Sequence, residues 1–357
     1  MGALRGPALA RLLTEAGYGV KPLLAPGAER FVGPAAFAAA GVPLSGPPED
    51  PDAVAFAPAG PDVLSRLAWG VADAPTFEKA LSGRRGCVVA LEMDAGTLAH
   101  PAVRRNIRRV RESGCRVLEP EGGRMAPPGG IAAALFRSLG GELAGRRIVV
   151  TAGGTREPLD AVRFIGNRSS GKMGLAVARE ALARGADVSV VAANLGTPEP
   201  GVEWIPVETV AEMERAVLGA VAEADALIMA AAVSDFTPAA PGRGKVRRRE
   251  GLKVEFRSTP DILARVRESF PHLFMIGFAA AFGDPLPDAR EKLERKGADI
   301  IVGNDISRPE IGFGSDENEV CIVSRGEERR VGRASKREIA RVILDVLISE
   351  LNRKGQT

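Results

Sequence analysis

The run Thr151-Ala-Gly-Gly-Thr-Arg-Glu-Pro-Leu-Asp160, continued by Val162-Arg163-Phe-Ile-Gly-Asn167-Arg-Ser-Ser-Gly-Lys-Met-Gly174, gathers glycines, hydroxyls, amides and cations in one stretch. Glycines after a strand let backbone amides approach phosphate oxygens, and the next helix offers the positive end of its dipole. Gly153, Gly154, Ser169, Ser170, Gly171 and Lys172 are therefore candidates for phosphate binding. Their spacing fits neither the dinucleotide fingerprint nor the Walker A loop. A glycine-rich surface turn is the plain alternative, but it leaves the density of hydroxyls and cations unexplained.

Three further clusters point the same way. Met229-Ala230-Ala231-Ala-Val-Ser234-Asp235 ends an apolar run, where open α/β sheets gather ligands. Its small residues leave room for a base or ribose, and Asp235 could engage a hydroxyl or a metal-bound phosphate. A buried strand with an ordinary Asp turn would look alike. Gly242-Arg-Gly-Lys245-Val-Arg-Arg-Arg249 suits a flap over a polyphosphate or, equally, a solvated loop. Lys292 and Lys296, four residues apart, share one helix face and could bind an anion or merely face water.

Only 9 of the 48 basic residues are lysine. Where arginine serves every plain positive charge, a lysine hints at a site wanting a compact ammonium. Lys172, Lys245, Lys292 and Lys296 all fall in these clusters.

Composition narrows the classes. A chain of 357 residues, 45% hydrophobic, is long enough for two domains with sizeable cores. A net charge of +3, with no aromatic residues among the basic runs, argues against nucleic acid. No apolar stretch spans a membrane and no signal peptide is visible, so the cytoplasm is the expected compartment. Three scattered cysteines and two histidines make a disulfide framework, a Cys/His zinc site or a Cys–His catalytic pair poor choices.

These clusters need positioning elements, and the second half supplies them. Strands are expected at 147–151, 187–193, 226–233, 273–280 and 299–303. Helices are expected at 172–184, 207–222, from Thr259-Pro260-Asp261 onward, at 287–297 and at 336–351. Charged strands at 319–324 and 328–333 read as an exposed hairpin. Such alternation means an α/β, Rossmann-like, doubly wound and mostly parallel sheet. The first half is less regular. Helices are expected at 4–16, 101–113 and 131–139, with strands at 20–25, 87–91 and 115–119, and 41–62 is rich in Pro, Gly and Asp. A boundary near 140–145 gives domains 1–142 and 143–357, the first a smaller, incomplete, flavodoxin-like α/β fold.

The run 151–174, with Ala231-Ala-Val-Ser-Asp235, Thr259-Pro260-Asp261-Ile262, Gly277-Phe278-Ala-Ala280 and Lys292…Lys296-Gly-Ala-Asp299…Asn304-Asp-Ile-Ser307, resembles phosphopantothenate–cysteine ligase over residues 146–350. That family forms the ligase half of a bifunctional bacterial coenzyme A biosynthesis protein. The resemblance implies a cytidylylation: 4′-phosphopantothenate attacks CTP, and L-cysteine then displaces CMP. It implies that Asn167 holds the acyl-cytidylate, Arg163 assists the cysteine step and Lys245 closes the flap. Met229, Ala230, Ala231, Asp235, Thr259, Pro260, Asp261, Ile262, Phe278, Lys292 and Lys296 would form the CTP pocket. It further implies Mg²⁺ with the triphosphate and a homodimer. In one departure, Ala281 stands where the family usually has Glu.

Residues 28–34, 67–73, 100–106 and 123–126 resemble, more faintly, phosphopantothenoylcysteine decarboxylase. An opening strand and its flavin-phosphate loop are missing or cut short at Met1. No histidine occupies 45–57, Asp94 replaces the family's Asn, and no cysteine stands immediately before Gly123-Arg124-Met125, where the family's proton-donating one should lie. The first domain is thus expected to lack FMN and decarboxylation. Competing readings are a bifunctional enzyme that keeps decarboxylation, a silent flavin-binding module, and an NAD(P)-dependent oxidoreductase. The last lacks its glycine fingerprint and ribose-binding acid.

Overall fold

The computed structural model describes residues 2–25, 27–42, 51–81, 86–242, 244–246, 253–308, 310–312 and 314–354. It divides into two units, Met1–Ala144 with Leu182–Gly185, and Gly145–Ala181 with Ala186–Thr357.

The first unit holds a three-stranded parallel sheet of β1 (Val54–Ala59), β2 (Cys87–Leu91) and β3 (Arg116–Leu118), with β2 central and fully buried. The helix Pro101–Glu112 starts where proline suits the first turn and where His100 Nδ1 accepts the Ala102 N–H at 3.2 Å. Val103, Ile107 and Val110 turn inward and the arginines outward. Residues 20–25, expected as a strand, form none. Pro22 cannot donate to a ladder, and Val20 and Leu24 pack instead against Ala10, Val32, Phe37 and Val42. The stretch read as turn-rich contains β1.

The second unit is built on an eight-stranded sheet. Its strands are β4 (Arg147–Gly153), β7 (Asp187–Ala193), β8 (Glu203–Val207), β9 (Ala226–Met229), β12 (Phe274–Ala281), β13 (Ile300–Asp305), β14 (Glu317–Ser324) and β15 (Glu328–Ser335). The order is β15-β14-β13-β12-β9-β4-β7-β8, in which β13 to β8 pair in parallel, β14 runs antiparallel to β13, and the edge strand β15 runs antiparallel to β14. The doubly wound, mostly parallel sheet expected from the alternation is therefore present. Two short ribbons rise from it: β5 (Arg156–Pro158) with β6 (Phe164–Gly166), and β10 (Phe236–Pro238) with β11 (Phe256–Ser258). Val149, Val191, Leu227 and Met275 meet Met213, Val217 and Val266 from the helices Val210–Ala220 and Ile262–Ser269 in one core face.

Three expectations need correcting. The hairpin β14–β15 is not free-standing, because β14 pairs with β13 and buries Val320–Val323. The helix expected from Val207 starts at Val210, because Val207 belongs to β8 and Thr209 and Glu212 form a capping box. The helix expected from Thr259 onward starts at Ile262, because the Asp261 carboxylate caps it by accepting the Ala264 N–H at 3.2 Å.

Close packing of helix on strand depends on Gly174. A Cβ there would lie 2.7 Å from Ala152 Cβ and 2.7 Å from the Thr151 carbonyl oxygen. Gly174→Ala is expected to cost about 1–3 kcal/mol through overpacking, measured by urea unfolding; unchanged stability would mean the helix can slide off β4.

Candidate functional site

Strand order reverses direction on either side of β4, so the carboxyl ends of β4 and β9 open a crevice. Gly153 takes φ +91°, and a Cβ there would lie 2.0 Å from the Ala193 carbonyl oxygen, so only glycine fits. Gly154 bridges to Ala232 across the crevice: Ala232 donates to the Gly153 carbonyl at 2.8 Å, and Thr155 donates to the Ala232 carbonyl at 3.2 Å. A Cβ on Gly154 would meet the Asn167 carbonyl oxygen at 3.0 Å and Ser169 Cβ at 3.3 Å. The loop carrying Asn167 and Ser169 therefore lies directly on the glycine pair. Ser169 Oγ accepts the Gly171 N–H at 3.3 Å and tightens the turn into the helix Lys172–Ala183.

Buried hydroxyls tie the second cluster to the first. Thr151 Oγ1 accepts the Ala231 N–H at 3.0 Å, and Thr155 Oγ1 accepts the Ser234 N–H at 2.9 Å. Thr259 Oγ1 donates to the Ser234 carbonyl at 2.6 Å, and the Thr259 N–H donates to the Asp235 carbonyl at 3.0 Å. Met229, Ala230, Ala231, Asp235, Thr259, Pro260, Asp261 and Ile262 thus follow one continuous rim, on which Asp235 is exposed and Ile262 buried.

The helix Leu286–Lys296 brings both lysines to this rim. Lys296 forms an ion pair with Asp261, and Lys292 Nζ donates to the Phe278 carbonyl at 2.6 Å. Burial pushes the Lys292 ammonium below the usual lysine range, and Lys296 adds to the effect while Asp235 and Asp261 oppose it. Two cations face two carboxylates in a half-buried space.

The third cluster is organised by Asp160, a side chain with no exposed surface. Its carboxylate accepts the N–H groups of Val162 at 2.8 Å, Arg163 at 2.7 Å and Val246 at 3.0 Å, and pairs with the Arg163 guanidinium at 3.0 Å. The Val162 amide is the largest cause holding the carboxyl below the usual aspartate range. Arg163 also donates to the Val246 carbonyl at 2.5 Å. Arg163 and the root of the Lys245 segment are therefore held together, and Lys245 is exposed. Arg243 and Arg247–Arg249 lie outside the described residues.

Lys172 is engaged by the segment just before β14. Its ammonium donates to the Gly314 carbonyl at 2.8 Å and to Asp316 at 2.7 Å, and Asp316 is 88% exposed. Ser170 is exposed beside it. Asp160, Thr155, Ser234 and Asn194 were not singled out from sequence. Asn194, with φ 54°, donates through Nδ2 to the Gly154 carbonyl at 2.9 Å and to the Glu208 carbonyl at 3.0 Å. Only the position of Asp160 at the end of the glycine run could have marked it in advance.

The chemistry available here is placement and charge neutralisation. Backbone amides, hydroxyls and ammoniums converge, and the second unit's one histidine, His272, stands at the opposite, amino end of β12. No helix among the described residues is long and apolar enough to cross a membrane.

Residues 143–351 match the family described as DNA/pantothenate metabolism flavoprotein C-terminal domain. The chain is 37% identical to the coenzyme A biosynthesis bifunctional protein CoaBC of Mycobacterium tuberculosis (strain ATCC 25618 / H37Rv), over 98% of this chain and 94% of that protein. It is 33% identical to the protein of the same name from Bacillus subtilis (strain 168), over 98% and 94% respectively. Among solved structures, the crystal structure of the C-terminal domain of CoaBC matches with a TM-score of 0.52 and 34% identity, covering 59% of this chain and 98% of that one.

Proposed function

The chain belongs to the family of coenzyme A biosynthesis bifunctional proteins, and we propose that its second unit joins 4′-phosphopantothenate to L-cysteine at the expense of CTP. The 4′-phosphopantothenate carboxylate attacks the α-phosphate of CTP, forming an acyl-cytidylate and releasing pyrophosphate. The cysteine amine then attacks the acyl carbon, and CMP leaves. Both steps depend on orientation and on neutralising phosphate charge, which fixed amides and cations supply without a proton-transfer residue.

The observation that carries this reading is the crevice itself, with Asn167 laid over Gly154 and with Lys292 and Lys296 at its far rim. Asn167 would hold the acyl-cytidylate, Arg163 would assist the cysteine step, and Lys245 would close over the nucleotide. The lysine pair would take the triphosphate, Ser169, Ser170, Gly171 and Lys172 the phosphate ends, and Phe278 and the 229–235 and 259–262 segments the nucleoside. The deciding experiment follows pyrophosphate release and amide formation with CTP and ATP side by side. Formation with CTP supports the reading, and no product with either nucleotide sinks it.

Mg²⁺ fits as a passenger of the triphosphate. Among the described residues no group of three or more His, Cys, Asp or Glu could hold a metal, whereas Mg²⁺ commonly uses substrate phosphates with one or two carboxylates. Asp235 would be such a carboxylate, and the ion would supply charge neutralisation. The ribbons favour a homodimer, since Phe164 is 53%, Phe236 58% and Phe256 44% exposed. Sedimentation at single-chain mass would remove that assignment.

Lys292 gives this reading a pH signature. Its ammonium should be lost at a lower pH than an ordinary lysine loses its own. CTP affinity is therefore expected to weaken as pH rises from about 7 to 10, measured by calorimetry. A flat profile would place Lys292 beyond the nucleotide's reach.

For the first unit, we propose neither FMN nor decarboxylation. Asp94, where the decarboxylase family has Asn, caps the helix Ala95–Ala99 by accepting Thr97 N–H at 2.9 Å and Thr97 Oγ1–H at 2.6 Å. His100 caps the next helix, and Cys115 is buried. Asp94 and His100 fit structural work, and the three groups together do not fit a flavin site. The match over 98% of this chain to relatives named as bifunctional favours the opposite reading, retained decarboxylation. A flavin band in the visible spectrum, or enethiol formed from phosphopantothenoylcysteine, would establish that second reading.

A further inference from the structure

The first unit contains two cysteines that the ligation does not use. Cys87 opens β2, and Cys115 stands one residue before β3. The parallel register pairs Val88 with Arg116 and Val89 with Val117, so one step back along the ladder Cys87 and Cys115 lie side by side. Both join the core face formed by Val89, Leu91 and Val117, so the alternation of the strands points their side chains the same way. Neighbouring strands run about 4.8 Å apart, inside the range of about 4.4–6.8 Å between the Cα atoms of a disulfide.

The two thiols are not equivalent. The interaction between the two thiols holds Cys115 below the ordinary thiol range and, with burial, pushes Cys87 up. The Ser113 hydroxyl, which donates to the Val110 carbonyl at 2.8 Å, lies 3.9 Å from Cys115 Sγ. An attacking thiolate beside a protonated resolving thiol is the arrangement dithiol exchange requires. Cys115 is buried, and the two residues before it, Ser113 and Gly114, are exposed.

We propose that Cys87 and Cys115 form a redox-active dithiol that closes to a disulfide by exchange with a low-molecular-weight disulfide. Cys115 thiolate attacks one sulfur of the reagent, forming a mixed disulfide and expelling one thiolate. Cys87 then loses its proton, attacks Cys115 Sγ and expels the second thiolate. The chain is oxidised by two electrons, and the reagent is reduced to two thiols. The bond staples β2 to β3.

The test uses the full chain and oxidised glutathione. Two of the three thiols should disappear, the chain should stay single on non-reducing electrophoresis, and peptide mapping should link Cys87 to Cys115. Its mass should fall by about 2 Da with no glutathione retained. Cys321, whose thiol burial pushes up, serves as the internal control. Iodoacetamide should alkylate Cys115 with a pH midpoint below about 8.5, and Cys87→Ala should raise that midpoint. Persistent glutathione on Cys115, equal loss of all three thiols, links between chains, or a midpoint unmoved by Cys87→Ala would each overturn the proposal.

Discussion

Asn167→Ala is expected to lower the rate of phosphopantothenoylcysteine formation by about 10²–10³-fold, the usual loss when one preorganised donor to a reacting intermediate is removed. The stability of the chain should hardly change. Asn167 is exposed, and its main chain, not its side chain, makes the contact with Gly154. The loss should therefore appear in kcat, with unfolding by urea unaltered. Single-turnover assays with CTP and 4′-phosphopantothenate, cysteine added second, separate the two steps. A variant that forms product at the native rate would strip Asn167 of its role and leave the crevice as a binding surface only.

Asp160→Ala is expected to cost about 10²-fold in kcat/KM, although no substrate need touch this residue. The size follows from geometry, since a displacement of about 1 Å in a positioning group can lower a rate 10²-fold. One buried carboxylate fixes the Val162–Arg163 turn and Val246 together. Its removal leaves three N–H groups without their acceptor and the Arg163 guanidinium without its carboxylate. Stability should fall as well. Asp160→Asn keeps one carbonyl acceptor but sets an amide against the Val246 N–H and removes the charge facing Arg163, so it should be intermediate. Because the native carboxyl titrates below the usual aspartate range, its contribution is complete above that range and is lost as pH falls through its own lowered value. Native activity in Asp160→Ala would show that the turn and the Val246 segment hold position without it. Arg163→Ala and Lys245→Ala, measured singly and together, then test whether the shared anchor couples them.

The ligase-like unit was legible because local signals agreed with the sheet. Asp187–Ala193 is a strand over the very residues whose apolar run announced it. The charged pair of strands ends at the expected turn, although its attachment to β13 was hidden, since edge pairing depends on a distant partner. Short ribbons such as Arg156–Pro158 with Phe164–Gly166 left no periodicity to read. The site was legible as four clusters but not as one place. What joins them is a set of buried hydroxyls and one carboxylate, Thr151, Thr155, Ser234 and Asp160, and ordinary residue types carry no mark of the contacts they will make across the fold. In the first unit, Val54–Ala59 was masked by its proline and by the turn-forming residues before it.

The contact between Lys172 and Asp316 bears on how the crevice would accept an anion. The lysine does not wait bare in solvent; a carboxylate already stands where a phosphate oxygen could sit. Arrival of a polyphosphate would then be an exchange of one oxyanion for another, and an ion pair this exposed is worth only about 0–1 kcal/mol. Such a swap gains little by itself, so discrimination must come from the number of oxygens engaged at once. A monoanion would be a poor competitor for Asp316, and a chain of phosphates a good one.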